Sequence, residues 1–91
     1  MIKSSSVTQN NSIITDRETE YLSLVALGYK NIQIANILSV SKSTVKKTLE
    51  EIYRKLNAKD RANAVSIAYQ HKIITGQIIA KIIFKYQIII N

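Results

Sequence analysis

Cysteine and proline are absent from this 91-residue chain, and glycine and histidine nearly so, with two copies and one. Without cysteine there is no disulfide frame and no thiolate chemistry, a composition compatible with a reducing cytoplasm. His71 is the only histidine. With no acidic or histidine cluster and no Gly-rich phosphate loop beside it, no constellation for acid–base, metal or nucleotide chemistry is present. No catalytic residue, metal site or cofactor is therefore expected, and an enzyme is not the reading; His71 suits a surface or helix-capping role. No apolar run reaches the about 20 residues that a membrane span needs, and the N-terminus lacks the apolar stretch of a secretory signal. At this length one domain is expected, with a core of modest size.

What the chain has in excess is positive charge: 13 Lys and Arg against 6 Asp and Glu, a formal net charge of +7. Such a balance favours a polyanionic partner, either nucleic acid or an anionic membrane surface. The placement of the charge is more informative than its sum. Residues 41–61 carry seven basic and three acidic side chains, a net of +4, whereas residues 13–40 carry two and three, a net of −1. At the start of the basic stretch, SVSKSTVKK (39–47) puts four hydroxyls and three lysines into nine positions.

Residues 1–12 are polar and lack periodicity, as expected of a loose tail. Thr15 and Glu18 have the spacing of a capping box. A helix should follow and stop near Gly28, with Tyr21, Leu22 and Val25 on its core face. A second helix is expected from Asn31, the best cap at that point, burying Ile34, Ala35 and Leu38. Ser39-Val40-Ser41 suits a tight connection, with Ser41 capping a third helix over 42–56.

That third helix has the clearest pattern in the chain. Val45, Leu49, Ile52 and Leu56 share one face, while Ser43, Lys46, Lys47, Glu50 and Arg54 share the opposite one, with Thr44 and Thr48 at the flank. A fourth helix is expected from Asp60 towards His71, burying Ala64, Val65 and Ala68. In the Ile-rich segment that follows, Gly76 is expected to interrupt the pattern. From Gln77 onward Ile78, Ile79, Ile82, Ile83, Tyr86, Ile89 and Ile90 recur at helical spacing, although Ile also suits strands. The expected fold is all-α: four helices over residues 13–74 and an additional helical extension over 75–91.

Two helices joined by a three-residue turn, the second with a basic outer face, make a helix-turn-helix candidate. On physics alone that outer face has a plainer reading. Lys46–Glu50, Lys47–Glu51, Glu50–Arg54 and Glu51–Lys55 are all spaced to pair across one turn, as on a solvated charged helix.

Read without a gap, TDRETEYLSLVALGYKNIQIANILSVSKSTVKKTLEEIYRKLNAKDRANAVSIA resembles the DNA-binding domain of the LuxR/NarL/GerE family of bacterial transcription regulators. The resemblance extends over residues 14–74. It is carried by the Thr-x-Arg-Glu opening, Gly28, Asn31, Ile34-Ala35, Leu38, Val40-Ser41, Ser43-Thr44-Val45-Lys46, Lys55-Leu56, Arg61 and Ala64-Val65. It implies that the third helix enters the major groove of double-stranded DNA, and that Asn31, Ser41, Ser43, Thr44, Lys46, Lys47, Glu50, Arg54 and Lys55 form the DNA-binding set. Hydroxyls at the helix start can fix register on phosphate. Lys46 and Lys47 can reach guanine O6 and N7 or a phosphate, and Glu50 can accept from a cytosine amine. Arg54 and Lys55 lie further along and suit the DNA backbone.

The resemblance further implies that the fourth helix pairs two copies on a two-fold site, with Ala58, Arg61, Ala62 and Val65 as the dimerisation set. Thr48, Lys30, Leu27, Ile32 and Ile37 depart from the residues usual in the family. The extension would then pack as a fifth helix, covering Leu27, Ile32 or Ile37 or strengthening a dimer. Its rival role, a basic amphipathic segment on a membrane, would use Lys72, Lys81 and Lys85.

The expectation is thus a stand-alone, cytoplasmic, sequence-specific DNA-binding transcription regulator, in reach of RNA polymerase and without a membrane partner. The alternative is a module like region four of a sigma factor, or a protein-binding helix-turn-helix that captures a transcription factor or polymerase subunit.

Overall fold

In the computed structural model, which describes residues 13–89, the Thr15 hydroxyl accepts the Glu18 N–H and the Glu18 carboxylate accepts the Thr15 N–H, both at 3.0 Å. This reciprocal cap opens α1 (Asp16–Ala26), which ends before Gly28 at φ 91°, a left-handed conformation that favours glycine. Four helices follow: α2 (Asn31–Leu38), α3 (Lys42–Leu56), α4 (Arg61–Gln70) and α5 (Gly76–Lys85). No strand occurs among the described residues. The polar stretch 1–12 and Ile90 lie outside them.

α1 is the spine of the domain. Every residue from Glu20 to Val25 is buried, so the helix is covered nearly all round, and it contacts each of the other four. α2 and α3 pack on one another more extensively than any other pair, joined by Ser39-Val40-Ser41 as the turn of a helix-turn-helix. The core is filled by Leu22 and Leu24 from α1, Ile34 from α2, Val45 and Ile52 from α3 and Ile74 from the α4–α5 connection, all fully buried. α5 adds Ile79 and Ile82 to the same apolar cluster.

Each helix begins where a side chain satisfies a free backbone N–H. Ser41 caps α3, Asp60 caps α4 and Thr75 caps α5, through bonds to Thr44, Asn63 and Ile78 N–H groups of 3.0, 2.8 and 3.1 Å.

α2 departs from expectation. Lys30 holds the cap position and carries no side-chain acceptor, while Gln33 Oε1 accepts the Lys30 N–H at 2.8 Å. Asn31 is the first helical residue, because its amide is engaged elsewhere. Gly76 does not interrupt the C-terminal pattern; it is the first residue of α5, where the Thr75 cap starts the helix. Leu56 and Val65 are half-buried rather than fully so.

Among the described residues α5 packs on α1 and not on α2, so it does not cover Ile32 or Ile37. Leu27 and Ile37 find partial cover in the main core, and Ile32 stays 50% exposed. No helix among the described residues is long and apolar enough to cross a membrane.

Candidate nucleic-acid interface

The first two turns of α3 form an exposed, hydroxyl-rich and cationic surface. The Ser41 oxygen is its hub: besides accepting the Thr44 N–H, it lies 2.9 Å from Thr44 Oγ1 and 3.1 Å from Ser43 Oγ. These contacts pre-arrange three hydroxyls around the end of a helix whose first turn holds no acidic residue. The free N–H groups and the helix dipole favour an anion there, and nothing of opposite sign opposes them.

Lys46, Lys47, Glu50 and Arg54 continue along the exposed side, with Thr48 half-buried at the flank. Buried Val45, Leu49 and Ile52 anchor the opposite face against α2 and α1.

The pairing that would make this an ordinary solvated charged face does not form. Neither Lys46 nor Lys47 is within salt-bridge distance of a carboxylate among the described residues. Arg54 pairs with Glu51, three residues back, and not with Glu50. Lys55 leaves Glu51 altogether and reaches α1, where both Glu18 carboxylate oxygens accept from Nζ at 2.9 and 3.0 Å. Glu18 therefore caps α1 and ties the far end of α3 to it.

Other residues of the expected set are also spent inside the protein. The Asn31 Oδ1 accepts from Arg61 Nη1 at 3.0 Å, and Arg61 Nη2 donates to the Tyr29 carbonyl. Arg61 thus staples α4 to the α1–α2 connection. Of the expected dimerisation set, Ala62 is exposed, and Ala58 and Val65 are half-buried. With exposed Ser66 and Tyr69, Ala62 gives α4 a surface of small and apolar character.

Two residues with positions relevant to the site lie outside the expected site set. Lys42, exposed at the first position of α3, belongs to the same cationic end, and its place within SVSKSTVKK was the available signal. Arg17 donates to the Leu38 carbonyl at 3.2 Å, at the end of α2. No local pattern foretells that bond, because the two residues lie on different helices.

Beside Arg61, the Tyr53 hydroxyl is buried with no hydrogen-bond partner of good geometry among the described residues. Burial pushes its pKa up, and the Arg61 guanidinium only partly offsets this. Tyr53→Phe is expected to leave stability unchanged or raise it by up to about 1 kcal/mol, because a buried donor without a partner costs its desolvation. Thermal unfolding of the two proteins checks this; a marked loss would mean that the hydroxyl has a partner.

A family model described as bacterial regulatory proteins, luxR family, matches residues 12–68. The chain is also 42% identical over 62 residues to proteins named response regulator protein VraR from Staphylococcus aureus, Staphylococcus saprophyticus and Staphylococcus epidermidis. Each alignment takes in 68% of this chain and 30% of the relative, so the chain spans under a third of the length of these curated proteins. No solved structure matches it.

Proposed function

This chain belongs to the luxR family of bacterial regulatory proteins, and from that premise we propose that it binds double-stranded DNA sequence-specifically, with α3 in the major groove. The observation that carries this reading is that, among the described residues, Lys46 and Lys47 have no acidic partner, beside the pre-arranged hydroxyls of Ser41, Ser43 and Thr44. Two exposed cations and an unopposed helix N-terminus converge on one patch. In such a patch the hydroxyls and N–H groups hold phosphate and fix register. The lysines reach base edges or backbone, and Glu50, between them and Arg54, can accept from a cytosine amine.

Lys55, Asn31 and Arg61 act from within, fixing the attitude of α3 and α4, since their polar groups already have partners. Dimerisation is assigned to the outward side of α4, centred on Ala62 and flanked by Ala58 and Val65. Two copies there would meet pseudo-palindromic half-sites about 34 Å apart or a multiple of that. Such a regulator works in the bacterial cytoplasm, on DNA next to RNA polymerase.

Selection of bound duplexes from a random pool at about physiological salt, where nonspecific phosphate attraction is weakened, tests the reading. Wild type is expected to recover a two-fold motif. Lys46→Ala/Lys47→Ala is expected to lose about tenfold in affinity and to lower the salt dependence by about two phosphate contacts. A folded wild type that selects no motif would refute groove reading and turn attention to protein partners.

A further inference from the structure

We propose that the C-terminal helix α5 positions the DNA-reading helix: through Tyr86 it holds Arg17 on the carbonyl of Leu38, at the turn from which α3 departs. The inference rests on the groove reading of α3 and adds a region outside the family match, which ends at residue 68.

The bonds form a closed set. Arg17 Nη1 donates to Glu20 Oε1 and to the Tyr86 hydroxyl, both at 3.0 Å, while Nη2 donates to the Leu38 carbonyl at 3.2 Å. The Tyr86 proton goes to Glu20 Oε1 at 2.6 Å, which leaves a lone pair on the hydroxyl free to accept from Arg17. Lys85 takes the other Glu20 oxygen. The guanidinium is planar with donors in a fixed fork, so holding one edge on Glu20 and Tyr86 aims the other.

What it is aimed at matters. Leu38 is the last residue of α2, where carbonyls have no intrahelical partner. The backbone bonds that close this turn, from Ser39 and Val40 N–H, both go to the Ala35 carbonyl and leave that of Leu38 to Arg17. Ser39 then takes a left-handed conformation at φ 58°, and two residues later Ser41 caps α3. A binding site tolerates only about 0.5 Å and 10–20° of error, so the pose of this turn is the pose of the lysines. Among the described residues α5 packs on no helix but α1, and its influence on the turn runs through Arg17.

The test uses the full chain as wild type, Tyr86→Phe, Arg17→Lys and Phe84→Ala, the last altering an α5 side chain that is 86% exposed. Thermal unfolding, affinity for the selected duplex under conditions where each variant is folded, and backbone amide NMR signals of residues 39–41 without DNA are measured together. Tyr86→Phe and Arg17→Lys are expected to weaken binding by about three- to tenfold and to shift the turn amides, while Phe84→Ala changes neither. Wild-type affinity and unmoved turn amides in Tyr86→Phe, with or without a lower Tm, would overturn the proposal and leave α5 as a cover for α1. If Tyr86→Phe does not fold, the same result in Arg17→Lys overturns it. Should wild type select no DNA motif, groove reading fails separately, and the turn amides still decide whether α5 holds the turn.

Discussion

Replacing Ile34 with alanine is expected to lower the stability of the domain by about 3 kcal/mol, within the range for truncating a fully buried Ile. Ile34 has no exposed surface and sits in the α2 segment that packs against α1 and α3. Its loss removes apolar contact and leaves a cavity that three helices can only partly close. For a chain this size, total stability is about 5–14 kcal/mol, and the Tm should fall by roughly 12–24 °C. Chemical and thermal unfolding check the figure. DNA affinity measured on the folded fraction at low temperature should fall much less, since Ile34 is fully buried and contributes no surface to the proposed interface. A small Tm change would mean that α2 can move to fill the space.

Glu20→Gln is expected to cost about 1–3 kcal/mol near neutral pH, the range for hydrogen bonds to a charged group. The Glu20 side chain is only 9% exposed and receives Arg17, Tyr86 and Lys85. Burial on its own would raise the carboxyl pKa, but the donors from Lys85, Tyr86 and Arg17 outweigh it and hold the group below its ordinary value. A depressed folded-state pKa contributes stability that is fully present above the ordinary value, about 4.3, and is lost as pH falls through the lower folded value.

Lys85 shifts the other way, held above its ordinary value by its bond to Glu20. Its contribution is complete below about 10.4 and fades as pH rises through the raised value. Wild type and variant should therefore differ most between about pH 6 and 9, and converge as pH is lowered below about 4. Parallel pH–stability curves for the two proteins down to strong acid would show that the Glu20 carboxylate does not carry the contact.

Features set by neighbours in the chain were readable in advance. The Thr15–Glu18 capping box, the Gly28 stop, the Ser41 cap, the helix start at Asp60 and the apolar stripe of α3 all depend on residues close by in the chain, and each formed. The second helix starts at Asn31 as expected, but Asn31 does not cap it, and its side-chain oxygen is engaged by Arg61, 30 residues away. Lys55 has the spacing to pair with Glu51 and was expected on the DNA backbone, and it does neither inside the fold, where it reaches Glu18. The buried Glu18 carboxylate, 37 residues distant, provides a less solvated partner. Gly76 suggested a break because glycine is a weak helix former, yet at the first position of a helix capped by Thr75 that weakness counts for little.

The sequence by itself determined the five helical segments, the composition of the α3 surface and the family, because hydrophobic period, capping residues and register are local properties of the chain. Only the tertiary structure decided which cations stay free for a partner. Lys46 and Lys47 have no carboxylate within salt-bridge distance among the described residues, while Arg17, Lys55, Arg61 and Lys85 are drawn into bonds with Glu18, Glu20, Asn31, Tyr29 and Leu38. A charge-assisted bond forms where burial has stripped an acceptor of water, and which acceptors lose their water is fixed by how the helices pack, not by the spacing of residues along the chain.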